Sequence, residues 1–220
     1  MITRPTQDVD LFTDQEHGVE AAAGAVEAAL RDAGFAAERQ DQSAELADLF
    51  PGMGDGLAEW LVTAPGGGEL TVQLAFFGRD REPVAMDVGP VLDLEDVIGG
   101  KVCALASRVE PRDYADTARL LERYSPAELI GFARRLDPGL TARDFADAGR
   151  LLDEIDDEAF ARYGLSRSDV AGVRESFAVW PRTPQAASAL AQAAEPGRRT
   201  ARRPASGRSA GADREPEPGR

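Results

Sequence analysis

Every segment in which apolar side chains alternate with polar ones lies before residue 93, and from Asp93 onward apolar residues recur every three or four positions. A two-residue repeat belongs to a strand with one buried face, and a 3.6-residue repeat to a helix with one buried stripe. A chain that changes period in this way builds its sheet first and packs helices after it. The expected fold class is therefore α+β, a small mixed β-sheet followed by a helical C-terminal half.

The segments can be placed in order. Thr6 to Phe12 reads as a strand in which Asp8 and Asp10 alternate with Val9 and Leu11. Asp14 to Ala33 reads as a helix with a stripe of Val19, Ala22, Val26, Leu30 and Ala33, and Gly34 suits its C-terminal cap. Strands follow from Phe35, from Trp60 to Thr63 and from Leu70 to Phe77, with Gly66-Gly67-Gly68 as the turn between the last two. Helices are expected over Leu94–Ser107, from Pro111 to Tyr124, from a Ser125-Pro126-Ala127-Glu128 cap to Leu136, from Thr141 to about Leu152, and after Ser166 to near Trp180. Residues 183–220 are rich in Ala, Pro, Gly, Arg and Ser, and read as a disordered tail that buries too little to offset its ordering. The expected organisation is thus a core at 1–92, a helical half at 93–182 and a tail at 183–220.

The net charge of −14 excludes broad, non-specific binding to phosphate backbones, so any contact with nucleotide or RNA needs a local basic patch or a bound cation. The tail holds seven Arg and four acids, a net of +3, yet its plain reading is a solvated extension. The single Cys103 excludes an internal disulfide and reads as a buried thiol, and the single His17 reads as a surface residue. Trp60 and Trp180 read as core anchors, and the acidic run from Glu154 to Glu158 as a solvated helix end. No stretch approaches ~18 apolar residues, so the expectation is a soluble, cytoplasmic protein with no membrane association.

Two constellations carry chemistry. Residues i and i+2 of a strand point the same way, so Asp8 and Asp10 aim two carboxylates at one point. Such a pair repels itself unless a cation lies between, and Mg²⁺ suits hard oxygen ligands while leaving positions open for phosphate. The second constellation is Lys101, the only Lys, followed by Arg108, Arg112, Asp113 and Asp116. If the flanking helices run nearly continuously, Lys101, Arg108, Arg112 and Asp116 lie along one stripe; the bland alternative is a solvated face of i,i+4 ion pairs.

Together these stretches resemble a known family. Arg4-x-Thr6-x-Asp8-Val9-Asp10-Leu11 is similar to the strand of the AbiEii/AbiGii-type nucleotidyltransferase toxins of type IV toxin–antitoxin systems. Glu95-Asp96, Lys101-Val102-Cys103-Ala104-Leu105, Arg108 and Arg112-Asp113-x-x-Asp116 resemble that family's later motif, and Met86 to Leu92 looks like its actinobacterial branch. The likeness spans residues 4–180. It implies a nucleotidyltransferase fold, Mg²⁺, a nucleoside triphosphate as substrate, a tRNA or protein acceptor, and a cognate antitoxin. It also implies roles: Asp8 and Asp10 for the metal, with Asp87 as a candidate further ligand; Lys101 for the triphosphate; Asp113 for the acceptor; Arg4 and Thr6 for phosphate; Arg108 and Arg112 to offset charge. Phosphoryl transfer depends on positioning and charge neutralisation, which these residue types supply.

The sequence departs from the pattern twice. The family places a Gly-Gly or Gly-Ser turn well before the Asp pair, whereas the seven residues preceding Asp8 contain no Gly; either the start codon is assigned late and the core is truncated, or the phosphate turn is lost. The neighbouring strand usually supplies a third carboxylate, and the matching position here is Gln73. The alternative to an active transferase is therefore a degenerate member that binds nucleotide or a partner protein without turnover.

Overall fold

The computed structural model describes residues 8–40 and 56–194. Its first half contains β1 (Asp8–Thr13), α1 (Val19–Asp32), β2 (Ala36–Gln40), β3 (Leu57–Thr63) and β4 (Glu69–Phe76). The strands form one sheet in the order β1-β4-β3-β2, with β1 parallel to β4 and the other neighbours antiparallel. This is the small mixed sheet of an α+β fold. Gly67 and Gly68 take positive φ values of 78° and 106° in the β3–β4 turn, where the Gly68 carbonyl accepts from the Ala64 N–H at 3.0 Å.

Alternation gives the sheet two unlike faces. Ala58, Trp60, Val62, Val72 and Leu74 are buried on one, where α1 lays Val19 and Ala23 over them. The Trp60 indole is fully buried and donates to Glu27 of α1 at 3.0 Å, so its polar edge is satisfied. On the other face Asp8 and Asp10 are exposed and Glu59 and Gln73 half-buried.

A separate two-stranded hairpin, β5 (Val84–Met86) and β6 (Gly89–Val91), leads into the helices. These are α2 (Leu94–Arg108), α3 (Pro111–Leu121), α4 (Pro126–Leu136), α5 (Ala142–Leu151), α6 (Asp157–Ala161) and α7 (Arg167–Ser176), the last continued by a 3₁₀ turn at Phe177–Val179. Reciprocal capping boxes start α4 at Ser125 and Glu128, α5 at Thr141 and Asp144, and α7 at Ser166 and Asp169. The helices enclose a second core, distinct from the sheet's, that includes Ile98, Val102, Leu105, Tyr114, Ile130, Phe145, Phe160, Phe177 and Trp180. Tyr114 and Phe177 meet edge-on at 5.2 Å, the Tyr114 hydroxyl donates to the Ala148 carbonyl at 2.7 Å, and the Trp180 N–H donates to the Phe145 carbonyl at 2.9 Å.

One expectation needs correction. The stretch from residue 183 is not structureless at its start: Pro184–Ala194 forms α8, which buries Ala187 and Ala191 and packs on α4 and α5. Small alanines at helical spacing make a weak apolar signal but a strong helix former, and Gly131 lets the backbones approach, since a Cβ there would sit 2.8 Å from that of Ala194. The rest of the expected tail, with its seven Arg, lies outside the described residues. The acidic run lies, as expected, solvated at a helix end: Asp156 is the N-cap of α6 and Asp157 its first residue, and the helix seats Phe160 in the core.

One buried group sets a stability prediction. The Thr117 hydroxyl is fully buried and has no hydrogen-bond partner. Thr117→Val keeps the branched shape and removes the desolvated hydroxyl, so it is expected to add about 1 kcal/mol and raise the melting temperature by about 2–4 °C. A lower melting temperature in a thermal scan would contradict this.

Candidate active site

β1 is extended, so Asp8 and Asp10 share its exposed face. Register sets what lies beside them: Asp8 opposite Thr71 and Asp10 opposite Gln73 on β4, and Gln73 in turn opposite Glu59 on β3. Asp10, Gln73 and Glu59 thus form one row across three strands. The Gln73 amide Nε2 donates to Glu59 Oε2 at 2.5 Å. Gln73, which the resemblance matches to a third-carboxylate position, lies beside Asp10 in this row, and the nearest acid along the row is one strand further off. Glu59 escaped the sequence reading, although it is the lone charged residue of an otherwise apolar strand, Leu57 to Val62.

The other assigned residues divide. Asp87 is exposed in the turn of the β5–β6 hairpin. Among the described residues no three acidic, His or Cys side chains gather to hold a metal ion, so Asp87 does not join the Asp8–Asp10 pair in a preformed cage. Arg4 and Thr6 lie outside the described residues.

The helical half meets the sheet at the end of β1. The Phe77 N–H donates to the Thr13 carbonyl at 2.9 Å, and its ring lies 5.2 Å from that of Phe12, two residues beyond Asp10. A Cβ on Gly100 of α2 would sit 3.2 Å from Phe77 Cε2, so the glycine lets the ring lie against the helix one residue before Lys101. The segment after Phe77 is fastened on several sides. Arg79 donates twice to Asp14 at 3.0 and 2.7 Å, Arg81 twice to Glu95 at 2.9 and 2.6 Å, and Arg135 of α4 to Asp80 at 2.9 Å and Glu95 at 2.7 Å. Asp96 is buried and accepts the backbone N–H groups of Asp80 at 3.3 Å and Arg81 at 3.0 Å. Exposed pairs of this kind contribute about 0.2–1 kcal/mol each, so their effect here is mainly orientation: they hold α2 against the end of the Asp-bearing strand.

Lys101, Arg108, Arg112 and Asp116 do not share a continuous stripe. Val109 takes a left-handed φ of 57°, and the chain turns between α2 and α3. Two pairs run across the turn: Lys101 Nζ donates to Asp116 at 2.7 Å and Arg108 donates twice to Asp113 at 2.9 and 2.8 Å; Arg112 pairs with Glu110 at 2.8 Å within the start of α3. Asp113 is buried and also accepts from the Glu110 N–H at 3.3 Å, as the reciprocal arm of a capping box. Its hydrogen bonds hold the Arg108 guanidinium above its usual pKa. The Lys101 and Asp116 side chains are 49% and 37% exposed, so this pair exchanges readily for another anion.

Two other singled-out residues fall away from the chemistry. His17 is exposed in the β1–α1 loop. Burial pushes the Cys103 thiol up to about 11, and Sγ donates to the Ala133 carbonyl at 3.4 Å, so it rests as a thiol rather than a nucleophile.

No curated protein and no solved structure matches the chain. One family model does, that described as nucleotidyl transferase AbiEii toxin, type IV TA system, and the match covers residues 1–201.

Proposed function

We infer the activity from one premise: the chain belongs to the AbiEii family of nucleotidyl transferase toxins of type IV toxin–antitoxin systems. The proposed reaction moves a nucleotide from a nucleoside triphosphate onto an RNA, tRNA first among candidates, or onto a protein, with Mg²⁺. The observation that supports it most is the Asp8–Asp10 pair on an exposed strand face whose far end is fastened to the helix bearing Lys101.

Two carboxylates fit Mg²⁺ of a particular kind. Mg²⁺ keeps several waters and is commonly held by one or two carboxylates together with substrate phosphates, so Asp8 and Asp10 suit a cation that arrives with the triphosphate. Bound there, it would neutralise charge on the transferring phosphoryl group. The chain's own residues do the rest. Lys101 exchanges Asp116 for a phosphate oxygen. Arg108, clamped by Asp113, offers a guanidinium of fixed direction, and Arg112 adds charge beside it. Asp113, which the resemblance assigned to the acceptor, has both oxygens on Arg108, so its first contribution is to hold that residue. Arg4 and Thr6 remain proposed phosphate contacts. On a chain of net charge −14, the local set of Lys101, Arg108 and Arg112 is what could meet an RNA acceptor.

No helix among the described residues is long and apolar enough to cross a membrane. With a triphosphate as donor and tRNA as acceptor, we place the activity in the cytoplasm, alongside a cognate antitoxin of the type the family implies.

A second reading, nucleotide binding without turnover, draws support from Gln73 at the third-carboxylate position. One experiment separates the two. The purified chain is incubated with Mg²⁺, each labelled triphosphate and bulk tRNA, and its melting temperature is measured with and without the triphosphate. Label in the RNA or protein fraction supports transfer. A raised melting temperature without label supports binding alone. Neither signal sinks both. Lys101→Ala is expected to weaken triphosphate binding about tenfold or more, the worth of one charge-assisted contact, and equal affinity in mutant and parent would remove its assigned role.

A further inference from the structure

The row Asp10–Gln73–Glu59 assigns a task to a residue outside the reacting centre. An ionised carboxylate only accepts hydrogen bonds, so the group that Gln73 turns toward Glu59 must be its NH₂. The amide is planar, so its carbonyl oxygen diverges from the N–H that meets Glu59. In this sheet β4 lies between β3 and β1, and Asp10 flanks Gln73 on the side opposite Glu59.

We propose that Glu59 is a positioning residue: it locks the Gln73 amide so that a neutral carbonyl oxygen, rather than a third carboxylate, faces the cation held by Asp8 and Asp10. This rests on the transferase reading above. The lock matters because an amide presents opposite polarity at its two ends. Turned over, Gln73 would offer two N–H donors to a cation and repel it. Held by Glu59, it offers an oxygen, the ligand type that Mg²⁺ takes. The arrangement also lowers self-repulsion before a cation binds, since two converging carboxylates repel less than three. Among the described residues no three acids cluster about one point, which fits Glu59 acting through Gln73 and not as a ligand itself.

The test uses the full chain and one probe, Mn²⁺ with inorganic triphosphate, its binding read from water-proton relaxation. Parent protein should bind and Asp10→Ala should not. Glu59→Ala should bind about tenfold or more weakly, as loss of an orienting partner does. The exchange Gln73→Glu with Glu59→Gln moves the carboxylate beside Asp10 and leaves an amide to donate to it, so it should bind at least as tightly as the parent. A merely structural Glu59 would lower the melting temperature of Glu59→Ala without changing the probe's affinity, and that result overturns the proposal. If Glu59→Ala does not fold, the exchange variant decides: binding weaker than the parent's refutes the lock, and binding equal or tighter supports it. If the parent does not bind the probe at all, the transferase reading fails and takes this inference with it.

Discussion

Asp10→Ala is expected to lower nucleotide transfer by roughly three orders of magnitude and to leave the protein folded. The reason lies in what Asp10 touches. It stands on the exposed face of β1, outside both hydrophobic cores, so its removal opens no cavity. Its partner across the ladder is Gln73, a neutral group, and its neighbour on the same face is Asp8, a like charge. Removing either carboxylate therefore relieves repulsion in the metal-free protein, and the melting temperature of the variant should equal or exceed the parent's. In the presence of Mg²⁺ and triphosphate the sign should reverse: the parent is expected to gain stability from the ligand and the variant is not. Asp10→Asn should behave similarly, since its amide keeps the volume but loses the charge. Transfer rates with labelled triphosphate, together with melting curves with and without Mg²⁺, check all of this. An apoprotein that melts well below the parent would show the residue to be structural, and unaltered transfer would place the chemistry elsewhere.

Gly149→Ala should cost about 2 kcal/mol of stability and lower the melting temperature by about 4–8 °C. A Cβ on this α5 residue would lie 2.3 Å from the Pro181 carbonyl oxygen, 3.2 Å from its carbon and 3.0 Å from Trp180 Cδ1. None of these atoms belongs to the free end of a flexible chain. Trp180 is buried, tied to the Phe145 carbonyl through its ring N–H, and tilted against the Phe177 ring at a centroid distance of 5.5 Å. The clash must be relieved by prying residues 180–181 off the helix, an overpacking cost of about 3 kcal/mol that the better helix propensity of Ala offsets by about 1. Gly172→Ala supplies the internal control. Nothing lies within 4 Å of a Cβ there, so the same chemical change in α7 should raise the melting temperature. Equal shifts in the two variants would mean that packing at Gly149 is looser than described.

What the sequence disclosed depended on how local the signal was. Strand β4 was legible because Leu70, Val72 and Leu74 alternate over a long enough run, and the starts of α4, α5 and α7 because Ser or Thr stands three residues before Glu or Asp. The β5–β6 hairpin was not, since three-residue strands are too short to show a period. Helix α8 was not, because alanines carry helix propensity without much hydrophobicity. In the candidate site, the Asp8–Asp10 pair was visible as an i,i+2 spacing. Its neighbours were invisible for a physical reason: Glu59 meets Gln73 only through strand register, and Lys101 meets Asp116 only because Val109 turns the chain back. Pairings that depend on folding cannot be read from spacing alone.

The separation of the two hydrophobic cores bears on how the molecule comes apart. Trp60, Val72 and their neighbours share no buried residue with the cluster around Tyr114 and Phe145, so each is expected to unfold as its own cooperative unit, with the sheet's the smaller. The acidic pair belongs to the smaller unit and the lysine to the larger. On warming, any transfer activity would therefore be extinguished by dissolution of the sheet while the helices still hold their amide protons against exchange.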